Sequence, residues 1–293
     1  MSIELEKDIL DSMQKLGEIS DYILQQTFVA FDTETTGLWA PANRIIEIGA
    51  VKFRIRQPDT EIFESLLNPK RSIPPEVIRI HGITDKMVID APFAEDILPK
   101  FMSFCGTDSV LIAHNAPFDI SFVGCELERF ELDFGNNIIL DTVDLFKRYF
   151  PDLASYSLLA LARHFSIAES QEHRAFGDAA LVHKLFELIA PKIGNIKNKS
   201  DLSHVASIYS MADCRAQKTD LPEEHAELNR ALNEKLRVRI EYTTPSNEPT
   251  IRVIRPENFY HLGQVFYINA FCERAWGERT FRLDRIGEYH VLD

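Results

Sequence analysis

Phe28-Val29-Ala30-Phe31-Asp32-Thr33-Glu34-Thr35-Thr36-Gly37 is the stretch that decides how this sequence folds. Four apolar residues in an unbroken row suit a strand buried on both faces, and the glycine at the far end stops that strand. Side chains alternate along a strand, so Asp32 and Glu34 point the same way and present two carboxylates side by side at its end. Acids so placed repel one another unless a cation sits between them. Taken alone, the pair reads equally well as two solvated acids in a turn.

Outward from that stretch, residues 45–54 and 62–67 are β-rich, and prolines between positions 69 and 75 break the run. Helical spacing begins at Glu76. Residues 110–113 form a second apolar run leading into His114-Asn-Ala-Pro-Phe-Asp119, and residues 138–140 a third, closed by Asp141. Helical patterns over 158–165 and 175–192 complete this half; the latter aligns Ala179, Val182, Leu185, Phe186 and Ile189 on one stripe. Strands alternating with helices predict an α/β domain around a largely parallel or mixed central sheet. Ligand sites in such sheets gather at strand ends, where Asp119 joins Asp32 and Glu34, and Asp178 adds a fourth carboxylate at the start of a helix. Hard oxygen donors without histidine or cysteine favour Mg²⁺ or Mn²⁺ over zinc. Two such ions can hold a phosphodiester in line, one activating water and the other stabilising the leaving oxygen.

The segments Phe-Asp32-Thr-Glu34-Thr-Thr-Gly, His-Asn-Ala-Pro-Phe-Asp119 and His173-x4-Asp178, in that order, strongly resemble the DEDDh exonucleases, the family of the proofreading epsilon subunit of bacterial DNA polymerase III. The resemblance covers about residues 26–192. It implies a ribonuclease-H-like fold with a central mixed sheet, 3′-5′ hydrolysis of phosphodiester bonds and release of nucleoside 5′-monophosphates. Asp32, Glu34, Asp119 and Asp178 would hold two divalent metal ions, Mg²⁺ or Mn²⁺, and His173 would take the proton of the attacking water. An imidazole suits that role because its ordinary pKa of about 6.5 lies near working pH. Arg174 stands where the tyrosine-bearing sister group would need Tyr, which favours the histidine class. Glu76 and His81, with Thr35 and Leu38, would contact the terminal nucleotide by the same resemblance; His81 also fits a plain helix end before Gly82. His114 is expected to fix a turn, Glu47 to form hydrogen bonds near the first strand, and Asp141 and Asp144 to cap helices or brace the ligands.

The two flanks read differently. Residues 1–25 carry Leu5, Ile9, Leu10, Met13, Leu16, Ile19 and Ile23 at three- and four-residue steps, an amphipathic helix expected to pack on the domain spanning 26–192. Residues 193–227 are polar and broken, a linker with room for a short helix at 202–211. Short alternating segments then suggest a small all-β unit. Ile240-Glu-Tyr242, Arg255-Pro256, Gly263-Gln-Val-Phe-Tyr-Ile-Asn-Ala and Phe281-Arg-Leu-Asp-Arg-Ile resemble the WYL domain over 228–293, with Phe266-Tyr267-Ile268 where Trp-Tyr-Leu gives that domain its name. The resemblance implies an Sm-like β-barrel that binds nucleic acid or a nucleotide-like ligand. Arg252, Arg255, Arg279, Arg282 and Arg285 are its candidate contacts, since a planar guanidinium fork suits phosphate; they fit equally well as surface charges balancing nearby acids.

Composition sets the bounds. The 293 residues are 45% hydrophobic and 26% charged, ordinary for soluble globular chains. No apolar run approaches the roughly eighteen residues of a spanning helix, and the start lacks a secretion signal, so no membrane association and a cytoplasmic location are expected. The net charge of -13 argues against holding nucleic acid on a broad basic surface. From Leu221 onward twelve acids face ten bases, nine of them arginine, which leaves -11 for the first 220 residues. Cys105, Cys125, Cys214 and Cys272 show neither a disulfide framework nor zinc-ligand spacing, and reduced thiols are expected. The expected partners are single-stranded DNA or RNA 3′ ends, with DNA favoured; an exoribonuclease, and a non-catalytic ligand-sensing regulator, are the competing readings. A barrel at the C-terminal side, in place of a polymerase-binding segment, points to repair or nucleic-acid processing rather than replicative proofreading.

Overall fold

The computed structural model describes residues 19–194, 196–213, 217–244, 248–262 and 265–292. Most of the amphipathic helix expected over 1–25 lies outside them; its described end is α1 (Asp21–Gln25), capped by the Ser20 hydroxyl and anchored by buried Ile23. A mixed sheet follows, ordered β3-β2-β1-β4-β5-β6. Its strands are β1 (Phe28–Thr35), β2 (Ile45–Phe53), β3 (Glu61–Leu66), β4 (Val110–Ala113), β5 (Ile139–Asp141) and β6 (Ile208–Tyr209). β4 runs parallel to β1 and to β5, whereas β2, β3 and β6 join antiparallel. Helices α2 (Pro75–His81), α3 (Asp85–Val88), α4 (Ala94–Cys105), α5 (Ala116–Arg129), α6 (Thr142–Tyr149), α7 (Leu158–His164) and α8 (Ala175–Ile189) surround it.

β1 explains the two-sided core. Phe28 and Ala30 face α8 and pack with Val182 and Phe186, while Val29 and Phe31 face α4 and α5 and pack with Leu98, Phe101, Ile120 and Val123. An apolar run buried on both faces is what a central strand between helical layers requires. Beyond Phe31 the same alternation continues into polar residues, so Asp32 and Glu34 emerge on the α8 face and Thr33 on the α5 face.

The C-terminal unit is an antiparallel sheet ordered β11-β10-β9-β8-β12, with β7 (Gln217–Lys218) paired to β9. Its strands are β8 (Val238–Thr243), β9 (Pro249–Leu262), β10 (Val265–Cys272), β11 (Gly277–Arg282) and β12 (Ile286–Val291), with α9 (Ala226–Asn233) packed through Leu228 and Ala231. The expected closed barrel needs correction. Among the described residues no ladder joins β11 to β12, so the sheet is open. Ile254 of the 14-residue β9 is in register with both Val238 and Cys272, so the strand changes partner midway. Across the opening, the Tyr242 ring of β8 lies edge-on to Phe281 of β11 at 5.0 Å between centroids. A 3₁₀ turn at Leu283–Arg285 separates β11 from β12 and breaks the run of pairing there.

Residues 193–227 are more ordered than a linker. The helical expectation at 202–211 becomes a 3₁₀ turn at Lys199–His204, capped by Asn198, followed by β6. Leu202 and Val205 are buried in the α8-side core and Met211 in the α5-side core, which holds this segment down. It supplies one strand to each sheet. Among the described residues no helix is long and apolar enough to cross a membrane. Cys105, Cys125 and Cys272 are buried and form no disulfide; Cys214 lies outside the described residues.

The two units share a buried junction. Tyr260 and Tyr267 enter the α5-side core. At the junction, Arg44 donates through Nε to Glu126 Oε1 at 2.7 Å and, across to the C-terminal unit, through Nη1 to Glu278 Oε2 at 2.8 Å, and Arg129 pairs with Glu126 at 2.8 Å. Burial alone would raise the Glu126 pKa, but Arg129 and Arg44 hold it below its ordinary value. Glu126→Ala would strand the buried Arg129 guanidinium and leave Arg44 with Glu278 alone, and breaking a buried pair in this way costs about 3–5 kcal/mol. A denaturant midpoint lowered accordingly is the expected result, with Glu278→Ala costing less because Glu278 is partly exposed.

Candidate active site

Asp32 and Glu34 stand on the α8 face of β1, and the first turn of α8 carries Asp178 onto them. One oxygen from each of the three lies within 4.8 Å of the others. Crowding these acids has an electrostatic signature. Burial, then Asp119, Asp178, Glu34 and Glu47, push the Asp32 pKa well above its usual range. Burial, then Asp178, Glu47 and Asp119, push Glu34 up to about 9, with Arg174 opposing. Burial also raises Asp178, against Gln171 and His173. Gln171 donates to Asp178 Oδ2 at 2.6 Å, while Asp178 Oδ1 is buried with no partner. An orphaned carboxylate oxygen aimed among two other carboxylates suits a divalent cation with hard-ligand preference.

Asp119 does not join that group of three. It lies on the first turn of α5, on the opposite side of the sheet, and its Oδ1 accepts from Thr33 N at 2.9 Å and Thr33 Oγ1 at 2.7 Å. Burial raises its pKa to about 7, the Thr33 bonds opposing. Thr33 thus fixes Asp119 against the end of β1 from behind Asp32 and Glu34. The turn before α5 is held by Asp141, whose Oδ1 accepts from Asn115 N at 2.9 Å and, as helix cap, from Val143 N at 2.8 Å; Asn115 is left-handed at φ +64°. His114 braces the same turn. Its Nε2 donates to the Tyr156 carbonyl at 2.9 Å, its Nδ1 lies 2.8 Å from Thr142 Oγ1, and burial lowers its pKa to about 4, so the ring is neutral.

His173 precedes α8 in a left-handed conformation, φ +51°, and is half-buried beside Asp178. The next residue secures it. Arg174 Nε donates to both Glu47 oxygens at 3.0 Å, its Nη2 reaches Oε1, and Glu47 Oε2 accepts from Ala175 N at 2.9 Å. A fully buried carboxylate (0% exposed) therefore caps α8 and pins the residue after His173. Glu47 and Gly49 lie directly across from Glu34 and Asp32. A Cβ at Gly49 would sit 2.2 Å from Phe176 N, so only glycine lets α8 approach β2 this closely.

The remaining expected contacts are spread out. Thr35 is buried and donates to Gly37 O at 2.7 Å, and Leu38 is 76% exposed just beyond it. His81, at the end of α2, is buried; its Nδ1 accepts from Ile83 N at 3.0 Å and its Nε2 has no partner. Burial lowers its pKa, with Glu47 and the Thr35 backbone opposing. Glu76 stands exposed at the first turn of the same helix. The five C-terminal arginines do not converge. Arg282 holds Asp284 through two bonds at 3.0 and 2.6 Å, Arg255 lies 3.5 Å from Glu273, and Arg252 donates to Thr250. Arg279 donates to the Glu278 carbonyl beside Arg71, and Arg285 lies in the turn before β12. Arg255 borders a hollow of about 430 Å³ with Leu232, Lys235, Pro256 and Glu257.

Residues 29–186 match the exonuclease family and residues 223–291 the WYL domain. A PolC-type DNA polymerase III of Caldanaerobacter subterraneus subsp. tengcongensis is 37% identical over 199 residues, 68% of this chain but only 14% of that much longer protein. The DNA polymerase III subunit epsilon of Treponema pallidum is 36% identical over 203 residues, 67% of this chain and 93% of its own length. Exonuclease I resembles it in fold, with a TM-score of 0.52 at 16% identity over 84% of this chain and 55% of that one. A family match running over more than half of the sequence, and taking in β1, α5 and the start of α8 alike, makes this chain a member of the exonuclease family, a nuclease with a WYL domain on its C-terminal side.

Proposed function

We propose that the chain is a metal-dependent 3′-5′ exonuclease that trims single-stranded or frayed DNA and releases nucleoside 5′-monophosphates, in repair or nucleic-acid processing. The observation that carries the reading is the meeting of Asp32, Glu34 and Asp178, with one buried oxygen of Asp178 left without a partner. DNA is favoured over RNA because relatives 36–37% identical to this chain are DNA polymerase III proteins.

Two ions, Mg²⁺ or Mn²⁺, would be held by Asp32, Glu34 and Asp178 with Asp119 alongside, and would supply charge neutralisation at the phosphate and at the leaving oxygen. The protein's own part is positional. His173 accepts one proton of the attacking water as the new oxygen-phosphorus bond forms. The bond from phosphorus to the 3′-oxygen of the preceding nucleotide breaks, that oxygen takes its proton from solvent water, and His173 returns its own proton to solvent. Glu47 and Arg174 hold the backbone at His173 so that the imidazole need not be ordered at the moment of reaction. Thr33 keeps Asp119 turned toward the end of β1. On cation binding, Asp32 and Glu34 would release the protons that burial and crowding otherwise hold on them.

Digestion of 3′-labelled and 5′-labelled DNA and RNA oligonucleotides with Mg²⁺, with Mn²⁺ and with a chelator tests this. The 3′ label is expected to appear at once as mononucleotide, the 5′ label as a descending ladder, and the chelator to stop both. Mononucleotide released first from the 5′ label would reverse the polarity, preferential loss of RNA would move the substrate class, and unchanged digestion in chelator would sink the metal mechanism.

A further inference from the structure

The turn between β1 and β2 presents two large apolar side chains to solvent, Leu38 at 76% and Trp39 at 58% exposure. It is not a loose loop. Thr36 N donates to Arg44 O at 2.9 Å, Arg44 N donates to Thr36 Oγ1 at 3.0 Å, and Asn43 Nδ2 donates to Trp39 O at 3.0 Å. Its outer side rests on the C-terminal domain. Thr280 Oγ1 donates to Pro41 O at 3.0 Å, Glu278 pairs with Arg44 at 2.8 Å, and Arg71 Nη1 donates to Ala42 O at 2.6 Å. Asn269 lies against the same Thr280 hydroxyl. One hydroxyl proton serves one acceptor, so Asn269 must offer its amide nitrogen there for the Pro41 bond to stand. Trp39 is five positions beyond Glu34, a span of no more than about 18 Å. An exposed indole is a poor surface choice unless something stacks on it, and successive bases of a strand offer such faces whatever their sequence.

Building on the nuclease reading above, we propose that Trp39 is a nucleobase-stacking platform for the strand entering the active site, and that Glu278 and Thr280 of the C-terminal domain are the positioning residues that hold it. The C-terminal domain thereby sets how tightly the strand is gripped without supplying a group to the reaction. Because the clamp reaches the turn rather than the carboxylates, it acts on substrate binding and not on bond cleavage.

The protein has two tryptophans, and Trp276 is 82% exposed at the turn between β10 and β11. Trp276→Phe in the full chain leaves Trp39 as the reporter. Titration with an oligonucleotide whose 3′-terminal linkages resist hydrolysis is expected to quench Trp39 emission. Trp39→Ala is expected to raise the KM for oligonucleotides about tenfold. Thr280→Val combined with Glu278→Gln is expected to raise it about threefold to tenfold and weaken the quench. For both, kcat should stay within about twofold, and cleavage of a chromogenic p-nitrophenyl ester of thymidine 5′-monophosphate, which has no upstream bases, should be unchanged. Emission indifferent to the oligonucleotide, or emission that follows protein concentration alone as it would at a protein-protein contact, overturns the platform. Equal losses on ester and oligonucleotide overturn the positioning role. Failure of the unmutated chain to cleave either compound with Mg²⁺ or Mn²⁺ is a separate result, which removes the nuclease reading and this inference with it.

Discussion

Glu34→Gln is expected to lower hydrolysis by about three orders of magnitude or more while raising the melting temperature measured in chelator. The rate loss follows from removing one donor at the carboxylate cluster. Metal-supplied stabilisation is worth several kcal/mol, and each 1.36 kcal/mol is tenfold in rate. The stability gain follows from the sign of the pKa shift. Glu34 titrates near 9 in the folded chain, chiefly through burial and then through Asp178, Glu47 and Asp119, against an unfolded value near 4.5. A carboxyl whose pKa is raised by folding contributes stability that is complete below pH 4.5 and drains away as the pH climbs toward 9. At neutral pH the metal-free native state is therefore penalised by on the order of 1–3 kcal/mol at this residue. Glutamine removes that penalty. Added Mg²⁺ should raise the melting temperature of the unmutated chain more than that of the variant. A variant that melts lower in chelator, or that keeps a tenth of the activity, contradicts this account of the cluster.

Gly49→Ala is expected to cost more than 100-fold in kcat/KM and about 3 kcal/mol or more in stability. The new methyl would lie 2.2 Å from Phe176 N and 2.4 Å from the Ala175 carbonyl carbon, and both neighbours are backbone, which cannot swing aside like a flexible side chain. Relief requires α8 to lift from β2. That movement pulls Ala175 N from Glu47 and carries Asp178 and His173 away from Asp32 and Glu34. A misplacement of about 1 Å at reacting groups can cost about 100-fold, and forced overpacking typically costs about 1–3 kcal/mol before any broken bond is added. Gly177→Ala, where a Cβ meets nothing within 4 Å, is the control and should be close to neutral. Activity and denaturant midpoint measured for the two variants side by side decide the matter; near-native behaviour of Gly49→Ala would show that α8 is not held against the sheet.

Alternation along β1 made the Asp32 and Glu34 pair legible in the sequence, because a period of two fixes which residues share a face whatever surrounds them. The apolar runs at 110–113 and 138–140 likewise announced buried strands. The partners of those strands were beyond reach, since nothing local to β2 dictates that it runs against β1 while β4 runs with it. Asp119 belongs to the same motif as its neighbours in the sequence, yet it arrives on the other side of the sheet and faces Thr33, a relation that strand spacing cannot reveal. Arg174 had been notable only for not being tyrosine. Its bond to Glu47 links residues 127 positions apart, which only the sheet brings together. The C-terminal strands were visible by their alternation, but whether their sheet closes depends on a partner exchange at Ile254 that no pattern encodes. The junction was hidden for another reason: Arg44, Glu126, Arg129 and Glu278 each look like surface charges until two domains cover them.

The segment that lends β6 to one sheet and β7 to the other bears on how this protein should be handled. An exonuclease fragment ending at residue 200 would leave β5 as a bare edge, with its hydrogen-bonding groups open to any passing strand. It would also take Glu278 from Arg44 and uncover the apolar surface under Tyr260 and Tyr267. Such a fragment invites self-association, and its losses would be mistaken for the removal of a regulatory domain. Dissecting the two units by point substitutions in the intact chain avoids that confusion.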